Sequence, residues 1–397
     1  MKKKYIIFFI VTLVLLVALI TSFNYFKTTN AYIDDSVNNQ TKITKGISMN
    51  LEQTAGAGDY KTVTRSSWPT EGYKFNAELS RCENGSTLSW DDTKKAVIVS
   101  GNLSDKCYVY FDIYQPTLAE YIKSQYTGTQ GENSLYYHNS SLTNGAGDNS
   151  YRYAGASDSV NNYICLGSDE ATCPDANLFR IIGVFGDKTK VIRAKSVGNQ
   201  KWYTNGSNTW STSSLNTYLN GTYLTSLGTL TDKIATTTWK VGGGSWSNIA
   251  TSVPKTAYQY EVGSSASTTT VDKKIGLMYV TDYYYSASPS AWTLVGYNSS
   301  DATKDYRAAT STNWLYLGSY EWTISRNSDF TDFAFYVSST GNVNSRSVTL
   351  SYAVRPSFNL LSSTTYVSGS GSMSDPVRVT DWRTVLNNPR WNIGEMR

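Results

Sequence analysis

EWTISRNSDFTDFAFYVSSTGNVNSRSVTLSYAVRPSFNLL, residues 321–361, is the stretch against which the rest of the chain is read. Aromatic and β-branched residues fall there in short alternating runs, the pattern of half-buried strands. Gly341-Asn342 splits the runs as a turn, and Arg355-Pro356 closes them. The stretch is expected to form the last strands and hairpin of one domain, with the preceding segments packed against it. Arg355 stands inside an apolar run, so a buried polar partner is predicted for it.

Working outward, 397 residues suffice for two or three domains, each with its own core. Lys and Arg number 35 and Asp and Glu 31, a net charge of +4 spread along the chain. That gives no basic face for a nucleic acid. Charged residues are 17% and aromatic residues 14%, with 31 tyrosines against 12 phenylalanines. Ser, Thr, Asn, Gly and Tyr take surface positions that Lys and Glu hold elsewhere, a habit of secreted β proteins and of paratopes.

Lys2, Lys3 and Lys4 precede an uncharged run over 5–26, long enough to span a bilayer as a helix. The basic end is expected to stay in the cytoplasm and the remainder to lie outside, a single-pass cell-membrane protein. An uncleaved anchor is preferred to a cleaved signal, because a signal has a shorter core and small residues before its cut; cleavage would make the chain secreted. Residues 27–59 are polar and read as a stalk.

Residues 60–115 alternate with period two. Trp90 to Lys95 is a turn between STLSW and AVIVS, a hairpin signature. The expected module is small and β-sandwich-like, and a core of that size needs a staple. Cys82 and Cys107 are placed to supply it, and closing their loop would add about 3 kcal/mol. Cys165 and Cys173 bracket LGSDEAT and would close a shorter loop. Two disulfides are expected, although four cysteines allow three pairings. Trp68-Pro69 is extended or turn-like, with Trp68 assigned to packing.

Thr117 with Glu120 makes a capping box before the apolar stripe Leu118, Tyr121 and Ile122, a short helix. It opens a connection over 116–161 whose remainder, from 129 on, reads as a long irregular loop. The large domain is placed at 162–397. FRIIGVFGDKTKVIRAK is a hairpin. Leu215, Tyr218 and Leu219 form a helix stripe ended by Gly221. Strands are expected at 234–241 and 274–280, with polar and aromatic loops at 242–270 and 286–318.

Trp210, Ser213, Leu215 and Tyr218-Leu219-Asn220, then IGLMYVTDYYY, EWTISRNS, AFYVSSTGNV and YAVRPSFNL, resemble a bacterial family built around a domain of unknown function. That family carries a W-x-x-S-x-L-R-x-W-L-N helix, an apolar strand, a W-L-R-S segment and a closing V-R-P-A-L strand. It is similar to C-type-lectin-like folds and to the fold of the formylglycine-generating enzyme. The resemblance covers about 162–380 and implies an α+β chain: an N-terminal membrane helix, the β module, then a C-type-lectin-like mixed domain rich in strands and long loops. Asn216 stands where the family has Arg, and Thr323 to Arg326 replace a plain L-R-S. The first module resembles β modules of Gram-positive gut surface proteins.

No catalytic residue is assigned. His138 is the single histidine, and it reads as a surface residue of the irregular loop rather than a general base. Formylglycine-generating chemistry needs reactive cysteines late in the fold, whereas Cys165 and Cys173 come early. Asp282, Glu321, Asp329 and Asp332 are the carboxylates from which a glycosidase pair would be drawn. No phosphate-binding motif occurs. No metal site is assigned; a calcium ion would draw on Asp169, Glu170 and Asp175, or on Asp301 and Asp305, without an EF-hand pattern. The expected function is extracellular binding or adhesion, with a glycan or a host or neighbouring-cell protein as ligand. Trp246, Trp292, Trp314, Tyr320 and Trp322 are the named contact residues, of which two or three are expected to be buried in the core instead. An exported carboxylate hydrolase and a structural envelope protein are the alternatives.

Overall fold

The computed structural model describes residues 31–32, 46–69, 72–102 and 104–379. The chain divides into two compact units, Met1–Gln115 and Pro116–Arg397.

In the first unit the strands Tyr60–Val63, Ile47–Glu52, Cys107–Ile113 and Tyr73–Cys82 lie side by side in that order. A second sheet holds Ala31–Tyr32, Ala96–Ser100 and Thr87–Asp91. Met49, Leu51, Val97, Val109 and Phe111 meet in one core, with Trp68 buried against Phe111. Cys82 and Cys107 face each other directly across two paired strands and are bonded. ISMNLE, counted with the polar stalk, is a central strand of this sheet. It pairs parallel with Cys107–Ile113 and buries its last four residues.

The second unit is built on two large sheets, with a two-stranded ribbon of Thr237–Lys240 and Thr270–Lys273 beside them. Nine strands form the larger. Its spine is the hairpin Leu178–Phe185 with Lys188–Arg193, extended through Ser357–Asn359 on one side and Tyr163–Cys165 on the other. The smaller sheet orders Asn199–Lys201, Ser351–Ala353, Glu321–Arg326, Phe333–Val337 and Val343–Ser347. The 321–361 stretch thus supplies four of its five strands and then crosses to the larger sheet. Cys165 is bonded to Cys173.

The expected fold class is corrected. A helix over 1–26 lies outside the described residues, and among the described residues no helix is long and apolar enough to cross a membrane. The longest described α-helix, Pro254–Glu261, has eight residues, about 12 Å against a hydrocarbon core of about 30 Å. Nor does a lectin-like domain start at 162. Leu118 and Ile122, on the helix Leu118–Ser124 with its Thr117–Glu120 capping box, belong to the second unit's core. The loop expected to be irregular contains the hairpin Leu135–Tyr137 with Tyr151–Tyr153, which joins the nine-stranded sheet.

Two local departures have a clear physical reason. Gly221 does not stop its helix: the chain passes through a π-turn, Leu219–Tyr223. There Asn220 exchanges two hydrogen bonds with the backbone of Ile275, so the turn is held from outside. YVTDYYY is β-prone by composition, yet Val280–Tyr285 is a helix. Asp282 accepts from the N–H of Tyr279, and the carboxylate of Glu261 accepts from those of Val280 and Thr281. The free donors of the first turn are satisfied, which overrides propensity.

Candidate functional site

Alternation along the smaller sheet sends Glu321 and Trp322 to opposite faces. Glu321 is buried against Arg355, whose Nε and Nη2 donate to its two carboxylate oxygens at 2.6 and 2.8 Å. Arg355 Nη2 also donates to the carbonyl of Leu315, so the arginine inside the apolar run has its polar partner.

The opposite face is aromatic. Trp322 pairs across strands with Tyr336, and Tyr352 stands on the neighbouring strand. The Tyr352 ring lies 4.5 Å from that of Trp322 and 5.0 Å from that of Tyr336. Tyr320, just before the strand, stacks on Tyr352 at 5.2 Å and 22°. Trp322 is therefore the covered floor, Tyr352 is half-buried, and Tyr320 keeps 46% of its surface exposed. Trp322 Nε1 donates to the carbonyl of Gln200, which fixes the indole. Burial pushes the Tyr336 hydroxyl above its ordinary pKa, and the nearby guanidinium of the exposed Arg346 works against that. A flat ring pair with hydroxyls and a guanidinium beside it is chemically a stacking platform with hydrogen-bond donors.

Of the five aromatic residues named from the sequence, Tyr320 and Trp322 come together here. Trp292 and Trp314 are buried elsewhere, with Nε1 donating to the carbonyls of Ala287 and Tyr153. Trp246 is half-buried, edge-on to Tyr297, with its backbone N–H held by Asp329. The loop segments that carry these tryptophans contain helical turns, including Trp246–Ile249, Pro254–Glu261 and Pro289–Thr293, the last of which buries Trp292. Tyr336 and Tyr352 were not named. Their signal is the same alternation that marks the strands.

His138 is corrected outright: it is fully buried. Nδ1 accepts from the N–H of Ala146, and the ring meets Tyr285 edge-on at 4.8 Å. Burial, with the charge of Arg152, holds its pKa well below the usual imidazole range. Two of the four carboxylates considered for hydrolysis are committed to ion pairs. Asp282 pairs with Lys190, and Glu321 with Arg355. Among the described residues no three His, Cys, Asp or Glu side chains gather to hold a metal ion. Of the carboxylates considered for calcium, Asp305 is engaged by Arg307, Asp301 by Thr303 and Asp175 by Lys195.

A domain of unknown function, DUF6273, is found over residues 186–362. All five strands of the smaller sheet, and hence its aromatic face, fall within that span. No characterised protein and no solved structure matches the chain, so nothing links it to lectin-like or formylglycine-generating-enzyme-like folds.

Proposed function

We propose that this chain acts outside the cytoplasm as a binding protein, taking a carbohydrate on the aromatic face of the smaller sheet. The observation that carries the reading is the Tyr320–Tyr352 stack over Trp322, with Arg346 at its side. Sugar rings present apolar C–H faces that dock on aromatic planes, while their hydroxyls pair with tyrosine and arginine donors. Two disulfides support an oxidising location. The engaged state of Asp282 and Glu321 favours binding over hydrolysis.

The test is a glycan screen with the immobilised full chain, followed by calorimetry on any ligand retained. Tyr320→Ala and Tyr352→Ala are each expected to weaken binding about tenfold, near 1.4 kcal/mol. Retention no better than on denatured chain, or unchanged affinity in both variants, would overturn the reading.

A further inference from the structure

Lys190 and Asp282 are paired in the second unit, with Glu261 near enough for its charge to act on Lys190, and 5%, 3% and 2% of their surfaces are exposed. Lys190 Nζ donates to Asp282 Oδ2 at 2.5 Å. The rings of Tyr279, Trp239 and Phe185 stand 4.5, 5.3 and 5.8 Å from that nitrogen. Asp282 Oδ1 faces Arg152 Nη1 at 3.8 Å. Glu261 is bound to the two peptide units just before Asp282 and to the hydroxyls of Thr281 and Ser325. An ion pair this deep gives little net stability over apolar packing. An amine pressed on a carboxyl group in a dry, ring-lined site has a second, covalent state open to it.

We propose that Lys190 and Asp282 are the two ends of an intramolecular isopeptide cross-link, with Glu261 carrying the proton and Arg152 holding the carbonyl oxygen. The Nζ–Oδ2 contact is the unreacted pair. A proton passes from the Lys190 ammonium to the Asp282 carboxylate, leaving an amine and a carboxylic acid. The nitrogen lone pair attacks Cγ, and the charge that develops on Oδ1 meets the Arg152 guanidinium. Glu261 takes the proton lost by the nitrogen and returns it to Oδ2, which departs as water. One C–N bond forms, one C–O bond breaks, and nothing is oxidised or reduced. Burial favours the forms required: it pulls the Lys190 ammonium down against the charge of Asp282, and pushes the Glu261 carboxyl up against its hydroxyl donors.

The reduced and denatured full chain, digested with trypsin, decides the matter. A linked Lys190 resists cleavage and appears in a branched peptide joining 189–193 to 275–304, one water lighter than the sum of its parts. Lys190→Arg is expected to yield only linear peptides. Asp282→Asn is expected to give the same branched product by losing ammonia instead. Glu261→Gln, checked for folding by circular dichroism, is expected to link on the order of a hundredfold more slowly. Cleavage at Lys190 in the natural, folded chain, with both peptides recovered unlinked, would overturn the proposal whatever the variants do.

Discussion

The two faces of the five-stranded sheet use neighbouring residues in opposite ways. On one, Glu321 and Arg355 are both under 4% exposed and use their charges on each other and on a carbonyl. On the other, Trp322, Tyr336, Tyr352 and Tyr320 carry no charge and grade from full burial to a half-open ring. The first face is fixed by electrostatics that tolerates no missing partner. The second is held by packing in which the outermost ring contributes little. Buried polar chemistry therefore supports the scaffold, and recognition is left to a residue the scaffold does not need.

Breaking the inner face should produce the largest effect. Glu321→Ala leaves the Arg355 guanidinium buried without its carboxylate, and a loss of about 3–5 kcal/mol is expected. Equilibrium urea unfolding measures it. Replacing both partners, Glu321→Leu with Arg355→Met, is expected to lose less than the single variant, because no uncompensated charge stays inside. A double variant as unstable as the single one would mean that the pair acts through shape and not through charge.

His138 sharpens the contrast from within the buried class, since its Nε2 has no hydrogen-bond partner among the described residues. The folded chain keeps the ring neutral, while the unfolded chain protonates it near its ordinary value of about 6.5. The unfolded state thus binds the extra proton as pH falls. Stability from this residue is whole above about 6.5 and declines below it by about 1.4 kcal/mol per pH unit, until the lower folded pKa is reached. His138→Asn keeps an acceptor for the Ala146 N–H and removes the titration. Urea unfolding at about pH 7.5 and 5.5 should show a steeper pH dependence in the natural chain than in the variant. Equal dependence would place the titrating group elsewhere.

How far the sequence could be read follows the same division. Patterns carried by neighbours in the chain were legible: the STLSW–AVIVS and FRIIGVF–KVIRAK hairpins, the Thr117–Glu120 box and the need of Arg355 for a partner. Features imposed from a distance were not. Val280–Tyr285 is a helix because Glu261, nineteen residues before Val280, receives its first N–H groups. The central strand Ile47–Glu52 looked like stalk because one of its two partners, Cys107–Ile113, lies far along the chain. His138 looked exposed because its loop is polar, while the rings that bury it, Tyr285 and Trp292, come from another segment. Of the five aromatic residues, two or three are expected in the core, and Trp292, Trp314 and Trp322 are buried. Indole nitrogens that donate to backbone carbonyls, as in Trp292 and Trp314, show how a polar loop builds a core.

Tyr320 gives the smallest expected change in stability and the most discriminating one. Its ring covers Tyr352 yet stays 46% exposed, so Tyr320→Ala removes one stacked contact and leaves no buried donor behind. A loss of about 0.5 kcal/mol is expected, within the range of surface substitutions. Trp322→Ala, on the floor of the same face, should cost several times as much, about 3–5 kcal/mol, because it opens a cavity. The ratio carries the information. If Tyr320→Ala destabilises as strongly as Trp322→Ala, Tyr320 is a scaffold residue and the aromatic face has no spare ring to offer a ligand. If it is nearly neutral while binding falls tenfold, stability and recognition are separated across a single ring stack.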